Sequence, residues 1–543
     1  MVRKTLKAIT TKISGLREAA FWLSLFALFS QILALFRDRL LAYHFGAGPA
    51  LDIYYTAFKI PDLLFVTVAS LVSISALIPL FAKKESEDPM HLRSASESIF
   101  TIFSVLIVFF GIVSWFLMPF LIHLFFSGLS LIVQEETIFL SRILLLSPLF
   151  LGFSNFFGSI VQYEKRFILY SLSPLLYNFG IIFGIVFLTR DFGIRGPVIG
   201  VIFGAFLHFA LQAIFVFYST MRPKFTFKIQ WDVIWETARL SIPRTLALSI
   251  VSFVSFFFVA IAAKFSSGSI AIFNLSLNLQ SIPLSLIGVS FSLAAFPSLA
   301  ISSAKKNMAE IIERISSGLG QIVFWSLPIT ALFIVLRAHI VRVVLGSGSF
   351  DWSATRLVAA SLALFILSAV FQSTQLFLSR SHYALGKTKW PLIGNIGGGL
   401  VSVLTAILFM NYFDKFKFIF DFLAVMLKVS DLPGDVLILP LAYSIGSFLT
   451  ALILFLALGR DLVSEVWREI KTVCIHSILS AFVGGVFTYF TLTFLDGFFN
   501  LNTFWGVLGH GLIAGIVGIL AFIASLIFLK NKEISSLLPK VTP

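Results

Sequence analysis

The chain has 543 residues, 58% hydrophobic and 12% charged, with a formal charge of +14 and a mean hydropathy of +0.99. Soluble domains carry about 25% charged residues, so a chain this poor in charge cannot cover a compact globule with polar surface, and a bilayer must act as its solvent. One cysteine, Cys474, excludes an internal disulfide framework and any cysteine-rich metal or iron–sulfur site.

A helix crosses the hydrocarbon core with about 20 apolar residues. Runs of that kind are predicted at 20–44, 54–82, 96–121, 137–161, 168–189, 195–219, 237–263, 270–300, 311–336, 354–379, 391–411, 436–459, 472–495 and 503–529. The fold class is therefore an all-α polytopic membrane protein of about fourteen transmembrane helices. Residues 1–18 are basic and lead directly into a long span, unlike a cleavable signal, so the first helix is expected to remain. Cytoplasmic loops retain Lys and Arg during insertion. Loops on the amino-terminal side hold 25 of the 40 basic residues and the opposite loops hold 8, which predicts both termini in the cytoplasm. That sorting accounts for the positive charge without nucleic acid as a partner. The longest outer loop, 412–435, contains the apolar stretch FIFDFLAVML, expected to lie in the membrane interface.

The sequence also repeats itself. FGAGPALDIYYTAFKIPDLL follows the first span and FSSGSIAIFNLSLNLQSIPLSL the seventh, each with Phe and Gly three apart (Phe45 and Gly48; Phe265 and Gly268) and then a Pro (Pro61; Pro283). Six spans separate the copies, so the halves share one orientation. Two six-helix lobes (1–230 and 231–460) and a terminal helix pair (461–543) follow. Proline inside a membrane helix removes a backbone donor and loosens the preceding turn, so Pro61 and Pro283 mark flexible helices beside a cavity.

Ionisable groups within spans cost at least about 2.5–3.5 kcal/mol to insert and are functional candidates. They gather in the first two spans: Arg37, Asp38 and Arg39 end the first, Asp52 begins the second, and Lys59 and Asp62 are three residues apart on one face of it. Ser30 shares a helix face with Arg37. Arg39 reads as a cation snorkelling to the interface, whereas Arg37 and Lys59 read as lining a wet cavity between lobes; a structural ion pair of Lys59 with Asp62 is the alternative. In the second copy of the repeat, Asn278 and Gln280 stand at the position expected to face Lys59 and Asp62. Paired metal-spaced histidines, a phosphate loop and a Walker sequence are all missing from the sequence, so no metal, cofactor or ATP-driven step is expected. The eight histidines, His510 among them, read as scattered packing residues.

The segment RDRLLAYHFGAGPALDIYYTAFKIPDLL (37–64) closely resembles the signature after the first helix of the MurJ (MviN) lipid II flippases, members of the multidrug/oligosaccharidyl-lipid/polysaccharide exporter superfamily. RILLLSPLFLGFSNFFGSIVQYEKRF (142–167), GSGSFDWSATRL and LSRSHYALGKTKWP (within 346–391) are similar to the same family, as is the number of spans. The resemblance implies a secondary lipid transporter, not an enzyme, in the bacterial inner membrane. Its cargo would be undecaprenyl-diphosphate-linked peptidoglycan precursor, moved to the outer leaflet by alternating access, with membrane lipids and cell-wall synthesis proteins as further partners. The terminal helix pair would line a groove for the prenyl chain.

The resemblance makes Arg37 the essential cavity cation with Asp38 beside it, and assigns family positions to Asp52 and Lys59. Three arginines of such flippases are replaced here, by Gln31 after Ser30, by Phe65, and by Asn278 in the eighth helix. With a less cationic cavity, Arg37, Lys59 and Arg39 or Arg244 must meet the diphosphate, helped by amides at Gln31, Asn278 and Gln280. A flippase for another polyprenyl-diphosphate-linked oligosaccharide and a scaffold that has lost transport are the alternatives. Coupling to membrane potential or a monovalent ion is open at this stage.

Overall fold

The computed structural model describes residues 12, 15–72, 74–87, 89–531, 533 and 534, which contain helices and turns and no β-strand. The Arg244 side chain lies outside the described residues. Contacts divide the chain into two units, 1–256 and 257–543.

In the first unit the helices are α1 (Leu16–Phe45), α2 (Pro49–Ala57), α3 (Lys59–Val68), α4 (Ile74–Glu87), α5 (Pro89–Phe125), α6 (Leu131–Leu144), α7 (Leu146–Tyr163), α8 (Phe167–Phe183), α9 (Thr189–Phe192) and α10 (Arg195–Phe217). Then α11 (Trp231–Ala262) carries the chain across the division. The second unit contains α12 (Ser269–Pro283), α13 (Ser290–Ala304), α14 (Met308–Val344), α15 (Trp352–Ala384), α16 (Lys389–Asn411), α17 (Phe413–Met426), α18 (Ile438–Leu456), α19 (Arg460–Leu495) and α20 (Phe504–Phe528).

Twelve helical segments among the described residues are long and apolar enough to cross a membrane, against the fourteen expected. One difference has a local cause, and the other falls in a helix that is fully described only in part. The second predicted span is not one helix: α2 stops at Ala57, Phe58 forms a turn, and a 3₁₀ segment at Ala69–Val72 follows α3. Pro61 has no N–H to offer the Ala57 carbonyl, and the break falls there. The seventh lies in α11, whose fully described apolar stretch is Ser249–Ala262. Within the 412–435 segment, Phe413–Met426 form a helix, α17, which leaves Phe418, Phe422, Val425 and Met426 exposed. Beyond it, Arg356 holds Asp431 in a salt bridge that keeps this carboxyl below its usual range.

Packing inverts the soluble pattern. On α5, Val105, Phe109, Ile112, Phe116 and Phe120 are exposed while Ser96, Ser98 and Ser104 are buried. Two of these hydroxyls return to their own helix, Ser104 Oγ donating to Phe100 O at 2.6 Å and Ser98 Oγ to Ser94 O at 2.9 Å, whereas Ser96 Oγ has no partner among the described residues. Where helices cross most closely, side chains vanish. A Cβ on Gly180 of α8 would lie 2.3 Å from Gly204 Cα of α10, and one on Gly398 of α16 would lie 2.6 Å from Gly446 O of α18. Dispersion contact between backbones holds each pair, since apolar burial gives no drive in lipid. In the second unit, α14, α15, α18 and α19 enclose a core that includes Ile315, Leu319, Phe377, Leu454 and Val466. The terminal pair joins that unit through α14, around Phe324, Val473, Phe522 and Leu526.

Helix ends show one unusual choice. Apart from glycines, the described residues with a left-handed backbone are four lysines: Lys165 (φ 62°), Lys306 (53°), Lys428 (59°) and Lys530 (52°), ending α7, α13, α17 and α20. The next N–H reaches back five residues in every case, Arg166 to Val161, Asn307 to Ser302, Val429 to Ala424 and Asn531 to Leu526. This closes the last carbonyls in the manner usually left to glycine.

Candidate functional site: a polar wall in the first unit

Five helices place polar groups together inside the first unit. The guanidinium of Arg37, on α1, donates from Nε and Nη2 to Asp38 Oδ1 at 2.9 and 2.8 Å, and from Nη1 to Asn178 Oδ1 at 3.3 Å. Asn178, on α8, donates in turn from Nδ2 to Ser30 Oγ at 3.1 Å and to Pro174 O at 3.2 Å. Ser30 and Arg37, seven residues apart, thus meet the same amide. Asp38 is buried, and the Arg37 side chain keeps 21% of its surface exposed. Of five guanidinium N–H groups, three are engaged and two are unspent. Beside them, Tyr54 and Tyr55 of α2 pack edge to face at 5.4 Å, and the Tyr55 hydroxyl is buried with no partner among the described residues.

Lys59 opens α3, buried to 9% exposure, and its Nζ donates to Ser255 Oγ of α11 at 3.2 Å. Asp62 lies in the first turn of α3 with its side chain exposed, and Asp52 is buried in the first turn of α2. Both carboxylates sit at the positive ends of helices. Gln31 is half-buried on α1, without a hydrogen-bond partner among the described residues, and Arg39 is half-buried near the end of that helix. Arg142 settles elsewhere, its guanidinium 4.4 Å from the Trp115 ring centre and bonded to Trp115 O.

In the second unit, Asn278 is half-buried and its carbonyl accepts from Ser281 Oγ at 2.6 Å. Gln280 is fully buried, and its Nε2 has no partner among the described residues. Asn178, Tyr54, Tyr55 and Ser255 are not among the residues that the sequence singles out; Asn178 is there one amide among several within spans. A buried tyrosine pair just after Asp52 was visible as a signal; Ser255 carried none.

The second unit also has an apolar groove of about 350 Å³ between α14 and α20, lined by Leu332, Leu336, Val343, Leu508, Leu512 and Ile516. At its edge His339 Nε2 lies 2.9 Å from His510 Nδ1, and His510 Nε2 lies 3.0 Å from Leu492 O. A carbonyl only accepts, so His510 carries its proton on Nε2, and neutral His510 then accepts from His339 Nε2–H. These two histidines, expected to be scattered, form one hydrogen-bonded pair across the helices.

A helical bundle of many apolar spans with Lys59, Asp38 and Asp52 buried within it is the architecture of a multi-pass membrane protein. Solved structures agree on that fold: an inward-facing multidrug resistance MATE family transporter of the MOP superfamily superposes with a TM-score of 0.67 at 16% identity, covering 81% of this chain and 96% of its own. A structure of lipid II flippase MurJ in an inward closed conformation gives 0.74 at 24% identity, covering 94% of this chain and 99% of its own. The family model described as lipid II flippase MurJ matches residues 41–509, and the chain belongs to that family. Similar relatives include the probable lipid II flippase MurJ of Borreliella burgdorferi, 24% identical over 396 residues (71% of this chain, 76% of the relative). That of Rhizobium tropici is 24% identical over 477 residues (85% and 84%).

Proposed function

We propose that this protein carries lipid II from the inner to the outer leaflet of the bacterial cytoplasmic membrane by alternating access of two lobes. Family membership supports the cargo, and one arrangement supports the site: Arg37, oriented by Asp38 and Asn178, retains two N–H donors beside the unpartnered Tyr55 hydroxyl. A diphosphate brings about two negative charges and loses hydration on entry, so it needs charge-assisted donors that are already oriented. Arg37 supplies the planar pair and Lys59 a second cation. Asp38 fixes the guanidinium plane and offsets its charge, while Ser30, Gln31, Asp52 and Asp62 complete the polar surface. In the second unit, Asn278 and Gln280 are the amides we assign to the sugar and peptide head.

The prenyl chain stays apolar throughout, and the groove between α14 and α20 suits it in lining and shape. With both termini cytoplasmic, any net charge that the site carries across on its empty return couples to the membrane potential at about 2.3 kcal/mol per charge per 100 mV across the full field. No cofactor is required by this cycle; membrane lipids and cell-wall synthesis proteins are its neighbours.

Expression in a flippase-depleted bacterium tests the reading. The wild-type chain restores growth and Arg37→Ala does not, although it reaches the membrane in equal amount; failure of the wild type to restore growth defeats the proposal. Gln31, Phe65 and Asn278, standing where such flippases use arginine, favour a second reading in which the head group differs. Translocation of another polyprenyl-diphosphate oligosaccharide without lipid II would select it.

A further inference from the structure

At one end of the second unit, where α14 and α19 begin and the chain leaves α20, lies a cavity of about 470 Å³. Its charged lining is Glu313, Glu465, Glu469, Glu533 and Arg468, four carboxylates against one guanidinium. Such an excess of negative charge is unexpected here. All these segments flank loops that charge sorting assigns to the cytoplasm, where Lys and Arg dominate.

The acidic groups are not spent on each other's neighbours. Among the described residues, Glu313, Glu465 and Glu469 have no hydrogen bond or ion pair, whereas nearby Glu310 pairs with Arg314 and Glu533 accepts from Gln321 Nε2. An independent observation points inward as well: Ser316 lines the cavity, is only 7% exposed, and its hydroxyl has no partner among the described residues. A buried unpartnered hydroxyl costs about 1–3 kcal/mol unless something else meets it.

Shape narrows the ligand. Glu313 to Gly320 spans seven residues of α14, about 10 Å of helix, and Glu465 to Val473 runs about 12 Å along α19. Between the carboxylates stand Ile312, Ile470 and Val473. A compact hydrated metal ion matches neither the length nor the apolar stretches. A chain that alternates ammonium groups with methylenes matches both. We propose that this cavity is a binding site for a linear polyamine, which would tie the beginning of α14 to the terminal helix pair by neutralising carboxylates that otherwise repel.

Calorimetric titration of the full-length protein in nanodiscs with spermidine tests this. Saturable binding is expected, weakening with salt because three of the carboxylates are exposed. The pair Glu465→Gln and Glu469→Gln should lower affinity by about tenfold or more, and Ser316→Ala by a few-fold, while the glutamine variants without ligand unfold no earlier than wild type because their repulsion is relieved. No saturable binding, or binding indifferent to the glutamine pair, overturns the proposal. So does displacement of spermidine by an equal concentration of Mg²⁺, which would mark a divalent-cation site instead.

Discussion

The second helix of the repeat is built twice in this chain, with opposite results. Each copy starts after a glycine N-cap, Gly48 or Gly268, and each meets a proline, Pro61 or Pro283. In the first copy the helix breaks at Phe58 and again at Ala69–Val72; in the second it passes without interruption through a π-helical stretch, Leu284–Val289. The charges follow the helix ends. Asp52 and Asp62 occupy first turns, where an anion is favoured, and Lys59 stands at the break itself, between the carbonyl end of α2 and the amino end of α3. The second copy, also starting after a glycine, lacks the internal ends beside Lys59 and Asp62, and holds Asn274, Asn278 and Gln280 instead. Breaking a helix inside a membrane is thus what makes room for charge in one half, and keeping it whole restricts the other half to amides.

Three experiments sharpen or break that contrast. The largest effect is expected from Lys59→Met, which removes the cation at the break: a charge-assisted hydrogen bond is worth about 1.5–3 kcal/mol, so translocation in vesicles should fall by about tenfold or more with insertion intact. Retained activity would detach the break from substrate binding. Gln280→Leu should act in the opposite sense on stability. Its Nε2 has no partner among the described residues, so replacing the amide should raise resistance to thermal unfolding by about 1 kcal/mol, and a loss instead would reveal a partner that Gln280 needs. Smallest is Pro61→Ala, which returns an N–H to the Ala57 carbonyl and should fuse α2 with α3. Since Pro61 lies in the first turn of α3, where proline is tolerated, stability should change by under about 1 kcal/mol while translocation slows. The same change at Pro283 should leave the rate nearer wild type; equal slowing at both would dissolve the distinction.

Most of the bundle was legible in the sequence because apolar length and Lys/Arg placement are forced by the bilayer. The second span was not, since hydropathy records that 54–82 is apolar and is silent on Phe58, although Pro61 marked the spot. At the site, Arg37, Asp38 and Lys59 stand out as charges in apolar surroundings. What each one touches does not. Asn178 is 141 residues from Arg37, and Ser255 is 196 from Lys59, so only the packing of α8 against α1, and of α11 beside α3, makes them partners. Likewise His339 and His510 look solitary at 171 residues apart, and only the approach of α14 to α20 joins them.

The four lysines that close α7, α13, α17 and α20 have a broader consequence. A left-handed lysine is about 1 kcal/mol or more worse than glycine at the same turn, so each of these ends is less stable than it could be. What lysine adds is a tethered cation at the negative pole of its own helix, and wherever that end reaches the headgroups it can pair with their phosphates. Exchanging all four for glycine should therefore yield a bundle that resists heat better yet is less firmly seated at its proper depth in the lipid, because the anchoring sits at the very joints where the backbone is strained.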